Sequence, residues 1–349
     1  LLILGIDTSC DDTSAGLLRD GREVLANVVH SQIALHHRHG GVVPELASRE
    51  HLRNLIPVVE EALKTGGADF GDLDAIAVTQ GPGLVGSLLV GLYYAKALAF
   101  SLEIPLIAVN HLEAHLLSIF LEPETPPFPY AALTVSGGHT QLYHVRGYGD
   151  YTLLGQTVDD AAGEAFDKVA KIFGLGYPGG RVIEALARSG DAEAIRFPRA
   201  WMGKESLDFS FSGLKTAVLL QHRSWVEAPE EERTCSLADM AAAFQEAVVD
   251  VLVQKTLAAV ERTGVSAAAV AGGVACNGHL RRRMSAAAQE RGISVSYPRP
   301  AYCTDNGAMI ALTGYHRFLK GETAGLDVDA RSKFPMDDLP GVRRDELQG

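Results

Sequence analysis

One order of elements is written twice in this chain, and that repetition limits its possible folds more than any other feature. Leu2 to Thr8 is an apolar run and Ser14 to Arg19 a second; Glu23 to His30 is a third, starting after Asp20-Gly21, a pair suited to a tight hairpin turn. A helix (Pro44 to Lys64), a strand (Ala75 to Thr79), a long helix (Leu84 to Leu102), a strand (Leu106 to Val109) and a helix from His111 follow. Glu122 to Tyr130 then carries four prolines and no periodicity, the mark of a linker. After it the order returns, with strands at Ala131 to Ser136, Gln141 to Val145 and Tyr151 to Gln156. A helix (Cys235 to Arg262), a strand (Ala267 to Ala271), a helix (Cys276 to Arg291), a strand (Ile293 to Ser296) and a helix (Thr304 to Lys320) complete it. A unit repeated at a spacing of roughly 130 residues is far too long for a solenoid. Each copy reads as α/β, with parallel strands added to an antiparallel hairpin. The expected organisation is a first lobe over 1–125, a second over 130–320 with a mostly helical insertion near 159–229, and a polar tail over 321–349 packing on the first lobe. Two such copies facing each other would enclose a cleft.

The chain has 349 residues, enough for two lobes and too many for one small core. Its 47% hydrophobic and 21% charged residues exclude disorder and a collagen-like or disulfide-stapled chain. The formal net charge of −12 means that the surface as a whole repels nucleic acid, so a polyanionic substrate would need local basic patches or partner proteins. Arg281-Arg282-Arg283 and the stretch Arg196 to Lys204 are the visible patches, although a charge run is commonly just a solvated face. Cys10, Cys235, Cys276 and Cys303 are far apart with no C-x-x-C pair, which reads as a reducing, cytoplasmic setting. The chain enters an apolar strand with no basic segment before it, unlike a signal peptide, and its first residue, Leu1, suggests trimming or a variant start. Leu84 to Leu102, broken by Gly86, Gly91 and Lys96, reads as a buried helix of a sheet protein and not a membrane span. The Asp-Glu-Leu near the end is not terminal and is no retention signal.

Chemistry concentrates at equivalent places in the two copies. Ile6-Asp7-Thr8-Ser9-Cys10-Asp11-Asp12-Thr13 and Val135-Ser136-Gly137-Gly138-His139-Thr140 are both strand–turn–strand corners. Short hydroxyl and glycine residues leave backbone N–H groups to face an anion, so Ser9 and Val135 to Gly138 are candidate phosphate contacts; the plain alternative is two hairpin turns. Asp7 and Asp11 would repel bare phosphate, implying a bridging cation such as Mg2+. Gly272-Gly273-Val-Ala-Cys-Asn277, after a strand and opening a helix, fits an adenosine-binding loop. The matching Gly81-Pro82-Gly83 offers no such side chain and equally suits close helix–sheet packing.

His111 and His115 stand at i and i+4 on one helix face and can share a cation. A third ligand is expected from across the cleft, and Asp305 lies at the equivalent helix start of the second copy. Glu113 faces away from the pair and Leu112 follows His111, so the H-E-x-x-H peptidase arrangement is absent.

Taken together these stretches resemble the bacterial branch of the tRNA threonylcarbamoyladenosine transferase family, formerly described as glycoproteases. The resemblance runs from Gly5-Ile-Asp-Thr-Ser-Cys-Asp-Asp-Thr13 to about Lys333, through Gln80-Gly-Pro-Gly-Leu84, Asn110-His-Leu-Glu-Ala-His115 and Val135-Ser-Gly-Gly-His-Thr-Gln141. It continues in Asp159-Asp-Ala-Ala-Gly-Glu-Ala-Phe-Asp-Lys168, Tyr177-Pro-Gly-Gly180, Phe209-Ser-Phe-Ser-Gly-Leu-Lys215 and Gly272-Gly-Val-Ala-Cys-Asn277. It implies two duplicated actin/Hsp70/sugar-kinase-like (ribonuclease H-like) lobes facing a nucleotide cleft. It also implies Fe2+ or Zn2+ on His111, His115 and Asp305, and ligand contacts at Thr134 to Gly138, Asp167, Gly180, Glu184 and Asn277. The implied substrates are threonylcarbamoyl-adenylate and the adenosine next to the anticodon of tRNAs reading codons that begin with A. The implied partners are a paralogous non-catalytic subunit and a small ATPase. Other branches place a tyrosine ligand where this chain has Thr134, which implies a more open or weaker metal site.

The expected chemistry is metal polarisation of the carbamoyl carbonyl, with Ser136 to Gly138 N–H groups stabilising the departing adenylate phosphate. Asp11 is the first choice for accepting the amine proton and His139 the second; Asp167 and Glu184 suit ribose hydroxyls or a solvated helix face. The rival readings are a metallopeptidase, an ATP-driven chaperone or kinase of the same fold, and a catalytically silent scaffold.

Overall fold

The structure is a computed structural model that describes residues 1–203 and 205–345. Lys204 of the expected basic stretch, and the Glu and Leu of the Asp-Glu-Leu segment near the end, lie outside the described residues. The chain divides into two compact units, Leu1–Thr125 with Pro298–Pro340 and Pro126–Tyr297 with Gly341–Gly349.

In the first unit β1 (Leu2–Asp7), β2 (Asp12–Arg19) and β3 (Glu23–Ser31) form an antiparallel meander. The three-residue turn between β2 and β3 places Asp20 at φ 52° and Gly21 at φ 66°, a left-handed pair closed by the Arg22 N–H donating to the Arg19 carbonyl. A short helix, α1 (Ile33–His37), precedes α2 (Pro44–Gly66), which has proline in its first turn, where no intrahelical N–H is lost. Next come β4 (Ala75–Gly81), α3 (Val85–Leu102), β5 (Leu106–Asn110) and α4 (His111–Leu117). β4 pairs parallel with β1 and β5 parallel with β4, giving the order β3-β2-β1-β4-β5.

The second unit repeats this plan with β6 (Tyr130–Val135), β7 (Thr140–Gly147) and β8 (Asp150–Gln156). The insertion follows as α5 (Ala162–Ile172), α6 (Gly179–Ala187) and α7 (Ser212–Glu227), then α8 (Leu237–Thr263), β9 (Ala267–Ala271), α9 (Gly278–Gln289) and β10 (Ser294–Ser296). β9 pairs parallel with β6 and β10 parallel with β9, so strands one to five of each copy sit in the same order. The chain then returns to the first unit in α10 (Pro300–Cys303) and α11 (Gly307–Leu319), and β11 (Val342–Arg344) closes the second sheet beside β8.

That return corrects the expected boundary at 320. α11 lies flat on β1, β2 and β4, and the contact is closest where a side chain is missing. A Cβ on Gly5 would sit 2.2 Å from the Gly307 carbonyl oxygen, and one on Gly16 2.3 Å from the Ala308 nitrogen. Backbone packed on backbone explains why the last helix of the second copy in sequence belongs to the first unit in space. Residues 321–340 of the tail stay with the first unit, and β11, absent from the sequence reading, does not.

The Leu84–Leu102 segment also departs from expectation. As α3 it is long and apolar enough to cross a membrane, but only a third of it is buried. Ser87, Leu88, Gly91, Leu92, Ala95 and Ala99 face inwards, while Val85, Tyr93 and Phe100 are exposed.

Candidate metal centre and glycine turn

α4 begins where β5 ends because Asn110 caps it: its Oδ1 accepts from the N–H groups of Leu112 and Glu113, and its Nδ2 donates to the Phe334 carbonyl. The helix so started carries His111 and His115 on one face, their rings edge to face at 4.6 Å. Glu113, on another face, is buried and paired with Arg317 of α11, so it takes no part in the histidine site. Asp305 lies between α10 and α11, ahead of Asn306, whose Oδ1 accepts the Met309 N–H and starts α11. Asp305 Oδ1 is 3.4 Å from His111 Nε2 and 3.1 Å from His115 Nε2. One ligand atom from each residue lies within 4.8 Å of the others. Donors on a tetrahedral ion at about 2.0–2.1 Å stand about 3.3–3.4 Å apart, so the Asp305 carboxylate is spaced to share one divalent cation with each imidazole. The expectation that Asp305 reaches from the opposite lobe is wrong: all three residues belong to the first unit, because α11 does.

The electrostatics agree with that geometry. Burial opposes a charge on His111, but the Asp7 and Asp305 carboxylates hold its pKa well above the usual histidine value. Burial likewise opposes the Asp305 carboxylate, yet His111 and His115 hold it well below the usual range. The Cys10–Asp12 turn adds more negative charge. Burial raises Asp11, and burial with the nearby Asp305 pushes Asp12 up to about 7. Burial and the neighbouring Asp11 raise the Cys10 thiol.

Two buried histidines missing from the sequence reading hold this turn. His51 Nε2 donates to the Cys10 carbonyl at 2.9 Å, and its Nδ1 accepts from the Thr13 hydroxyl at 2.7 Å. His36 Nδ1 accepts the Val43 N–H, and its Nε2 meets Gln32, whose own N–H donates to the Asp11 carbonyl. The available signal was His51 on the apolar stripe of α2, in step with Ala47, Leu55, Val58 and Ala62. Ser9, expected to meet phosphate, is instead buried in the centre. Its N–H donates to Asp7 Oδ1 and its hydroxyl lies 3.3 Å from His111 Nδ1.

The equivalent corner of the second unit has the opposite character. The Ser136 N–H is spent on the His139 carbonyl, and the His139 N–H donates to the Ser136 hydroxyl, so the expected row of three anion-facing N–H groups loses its first member. Gly137 and Gly138 are exposed, and a Cβ on either meets nothing within 4 Å. Gly180 and Gly273 are half-buried, and a Cβ on either likewise meets nothing within 4 Å. Neither packing nor a left-handed φ requires glycine at these four positions, which leaves room for a ligand to approach the backbone. Gly272 is different: its φ is +93° and a Cβ would lie 2.4 Å from the Val135 carbonyl oxygen, so the fold alone demands glycine there.

Comparison with known proteins agrees. The sequence model of the family described as tRNA N6-adenosine threonylcarbamoyltransferase matches residues 23–312. The chain belongs to that family. The curated tRNA N6-adenosine threonylcarbamoyltransferase of Syntrophus aciditrophicus (strain SB) is 52% identical over 337 residues, covering 97% of this chain and 98% of its own. Those of Geotalea uraniireducens (strain Rf4) and Anaeromyxobacter sp. (strain Fw109-5) are 54% and 55% identical, covering 97% and 94% of this chain and 98% of each relative. Among solved structures, full-length HypF in the phosphate- and nucleotide-bound form matches with TM-score 0.62 at 14% identity, over 91% of this chain and 46% of that one. Component A of the Acidaminococcus fermentans (R)-2-hydroxyglutaryl-CoA dehydratase matches with TM-score 0.52 at 15% identity, over 91% and 98%. The fold of this threonylcarbamoyltransferase family member is accordingly of the actin/Hsp70/sugar-kinase type.

The remaining family-matched positions hold the second unit together. Asp167 Oδ1 accepts the Gly179 N–H at 2.7 Å and Glu184 Oε1 the Gly278 N–H at 3.0 Å, so each carboxylate caps the first turn of a helix. Asn277 is buried; its Oδ1 accepts the Leu280 N–H and its Nδ2 donates to Gln245. Its side-chain amide is thus held in place at both ends, with a second N–H and a second lone pair left over. Thr134 is buried, and its hydroxyl has no hydrogen-bond partner among the described residues. Asp159 accepts the N–H groups of Phe211 and Ser212 and the hydroxyls of Ser210 and Ser212, while Asp160 pairs with Lys168 and Lys215. Those two motifs fasten α7 to α5. The basic patches are partly consumed as well: Arg199 and Arg283 both pair with Asp250.

Proposed function

We propose that this protein transfers the threonylcarbamoyl group of threonylcarbamoyl-adenylate to N6 of the adenosine next to the anticodon, in tRNAs reading codons that begin with A. The observation carrying the chemistry is the convergence of His111, His115 and Asp305 within one unit, in a chain of this family. These three residues would hold Fe2+ or Zn2+, which when bound supplies Lewis-acid polarisation of an acyl carbonyl. The exocyclic amine of adenine is a weak nucleophile, so the residues must also orient it and remove a proton. Asp11 suits the latter role: burial raises its carboxyl above the ordinary carboxylate value, which makes it a stronger base. His139 is the second choice. The open backbone at Gly137, Gly138, Gly180 and Gly273 is suited to the adenylate, with Gly137 and Gly138 N–H groups placed to take up negative charge on its phosphate.

Binding tRNA needs help from other chains. The net charge is −12, and Arg199 and Arg283 are engaged internally. A paralogous non-catalytic subunit and a small ATPase are the partners we propose, and the exposed apolar residues Leu52 and Ile56 of α2 with Tyr93 and Phe100 of α3 offer protein-binding surface. The four cysteines form no disulfide among the described residues, which suits the reducing cytoplasm.

The test is incubation of the protein and its partners with labelled threonylcarbamoyl-adenylate and unmodified tRNA, beside peptide and ATP controls. Label should enter tRNA, and His111→Ala with His115→Ala should reduce incorporation to background. Peptide cleavage, ATP turnover without label transfer, or full incorporation by the double variant would each reject this reading.

A further inference from the structure

The last residue of β1, Asp7, is a carboxylate with no exposure at all. Its Oδ1 is well provided for, accepting the Ser9 N–H at 3.1 Å and the Thr79 hydroxyl at 2.8 Å. Its Oδ2 is not: it has no hydrogen bond among the described residues, and it lies 3.3 Å from His111 Nδ1. A fully buried carboxylate oxygen without a donor is costly, and the nearby imidazole nitrogen can be that donor only when it carries a proton.

We propose that Asp7 is a positioning residue that fixes the tautomer and ring orientation of His111, keeping the proton on Nδ1 so that Nε2 presents its lone pair beside His115 and Asp305. The inference rests on the metal reading of those three residues given above. Three features favour it. The two nitrogens of His111 face different partners, Nδ1 toward Asp7 and the Ser9 hydroxyl, Nε2 toward Asp305 at 3.4 Å. Two carboxylates, Asp7 and Asp305, flank one imidazole, and a divalent cation on Nε2 would balance both charges. A ligating histidine whose second nitrogen donates to a carboxylate is the arrangement that orients the ring and raises its basicity.

The neighbouring histidine supplies an internal control. His115 Nδ1 is buried with no hydrogen-bond partner among the described residues, so no side chain holds a proton on that nitrogen. Asp7 acts on one of the two histidines only. The supports of Asp7 come from β4 (Thr79) and from the turn itself (Ser9), elements distinct from α4 and from the Asp305 segment. The sheet therefore sets the ring plane of a ligand carried by a helix.

Asp7→Asn is the informative substitution. Its carbonyl can keep the Ser9 and Thr79 bonds, while its amide presents N–H to His111 Nδ1 and drives the imidazole proton to Nε2. Zn2+ affinity, measured by competition with a chromophoric chelator, should fall by about 10–100-fold. Because Asp7 acts through His111, the Asp7→Asn change should add nothing further in a His111→Ala background. Undiminished affinity in Asp7→Asn, or losses that add in full in the double variant, would overturn the proposal. A second measurement needs no variant: in the wild-type protein labelled with 15N-histidine and loaded with Zn2+, His111 should show a protonated Nδ1 and a metal-bound Nε2. The reverse pattern would overturn the assignment even if Asp7→Asn failed to fold. Wild-type protein that took up no Zn2+ would overturn the metal reading itself, a result distinct from a wild type that binds and a variant that binds equally well.

Discussion

The two strand–turn–strand corners share a topology and differ in almost everything else. In the first unit the turn between β1 and β2 is packed with Asp7, Ser9, Asp11 and Asp12, and buried histidines hold it from behind. In the second, the turn between β6 and β7 presents Gly137 and Gly138 to open space and no carboxylate. One corner collects carboxylates; the other has none and leaves the backbone of Gly137 and Gly138 open. One strand order thus carries two turns of different chemistry. The scaffold fixes where the chemistry is, and the turn residues fix what it is.

The contrast is broken most sharply at the glycines. Gly137→Ala or Gly138→Ala should lower threonylcarbamoyl transfer about tenfold or more, equivalent to about 1.4 kcal/mol of lost stabilisation, and leave unfolding free energy within about 0.5 kcal/mol of wild type. Steady-state kinetics beside urea unfolding decide it, and an unstable but fully active variant would show that these glycines serve the fold. Gly272→Ala should behave in the opposite way, losing stability by about 1–3 kcal/mol from its left-handed φ alone.

A smaller effect is expected behind the acidic corner. His51→Ala leaves the Cys10 carbonyl and the Thr13 hydroxyl without their partner and should cost about 1–3 kcal/mol of stability. Denaturant unfolding checks this, and an unchanged midpoint would mean the turn does not depend on α2. The glycine corner is held differently, by the Ser136–His139 bonds within the turn and by α5, whose Ala162 and Gly163 N–H groups donate to the Thr140 hydroxyl and the Ser136 carbonyl.

The smallest effect is one of pH, and it belongs to the second unit. Lys255 on α8 is buried, donates to the carbonyls of Trp201, Ser206 and Asp208, and is pushed down to about 8 by burial. An unfolded lysine titrates near 10.5, so between about pH 8 and 10.5 the unfolded chain binds more protons and the native state gains stability as pH rises. Below about pH 8 the burial penalty is felt in full. The difference in stability between wild type and Lys255→Met should therefore shift in favour of wild type across that window, and a flat difference would contradict the assignment.

Much of this was legible in the sequence because repetition and periodicity are local signals. The Asp20-Gly21 turn, the parallel strands of both copies and the histidine pair on α4 all lie where the pattern puts them. What was not legible depends on contact between distant segments. α11 was assigned to the second lobe because it completes that copy in sequence, whereas Gly5, Gly16 and Gly307 let it lie on the first sheet. That one misplacement put Asp305 on the wrong side. The motifs make Ser9 and Asn277 candidate ligand contacts, and only the fold shows that Ser9 lies beside Asp7 and His111 and that Gln245 and the Leu280 N–H hold the Asn277 amide. His51 and His36 escaped notice because a lone histidine in a helix carries no chemical signature until its partners are known.

The central claim is a divalent centre assembled within the first unit alone. X-ray absorption on protein purified without air tests it most directly. The spectrum should show two imidazoles and oxygen donors at about 2.0–2.2 Å from iron or zinc. Sulfur in the coordination sphere, a single imidazole, or an unchanged spectrum from Asp305→Ala would contradict it.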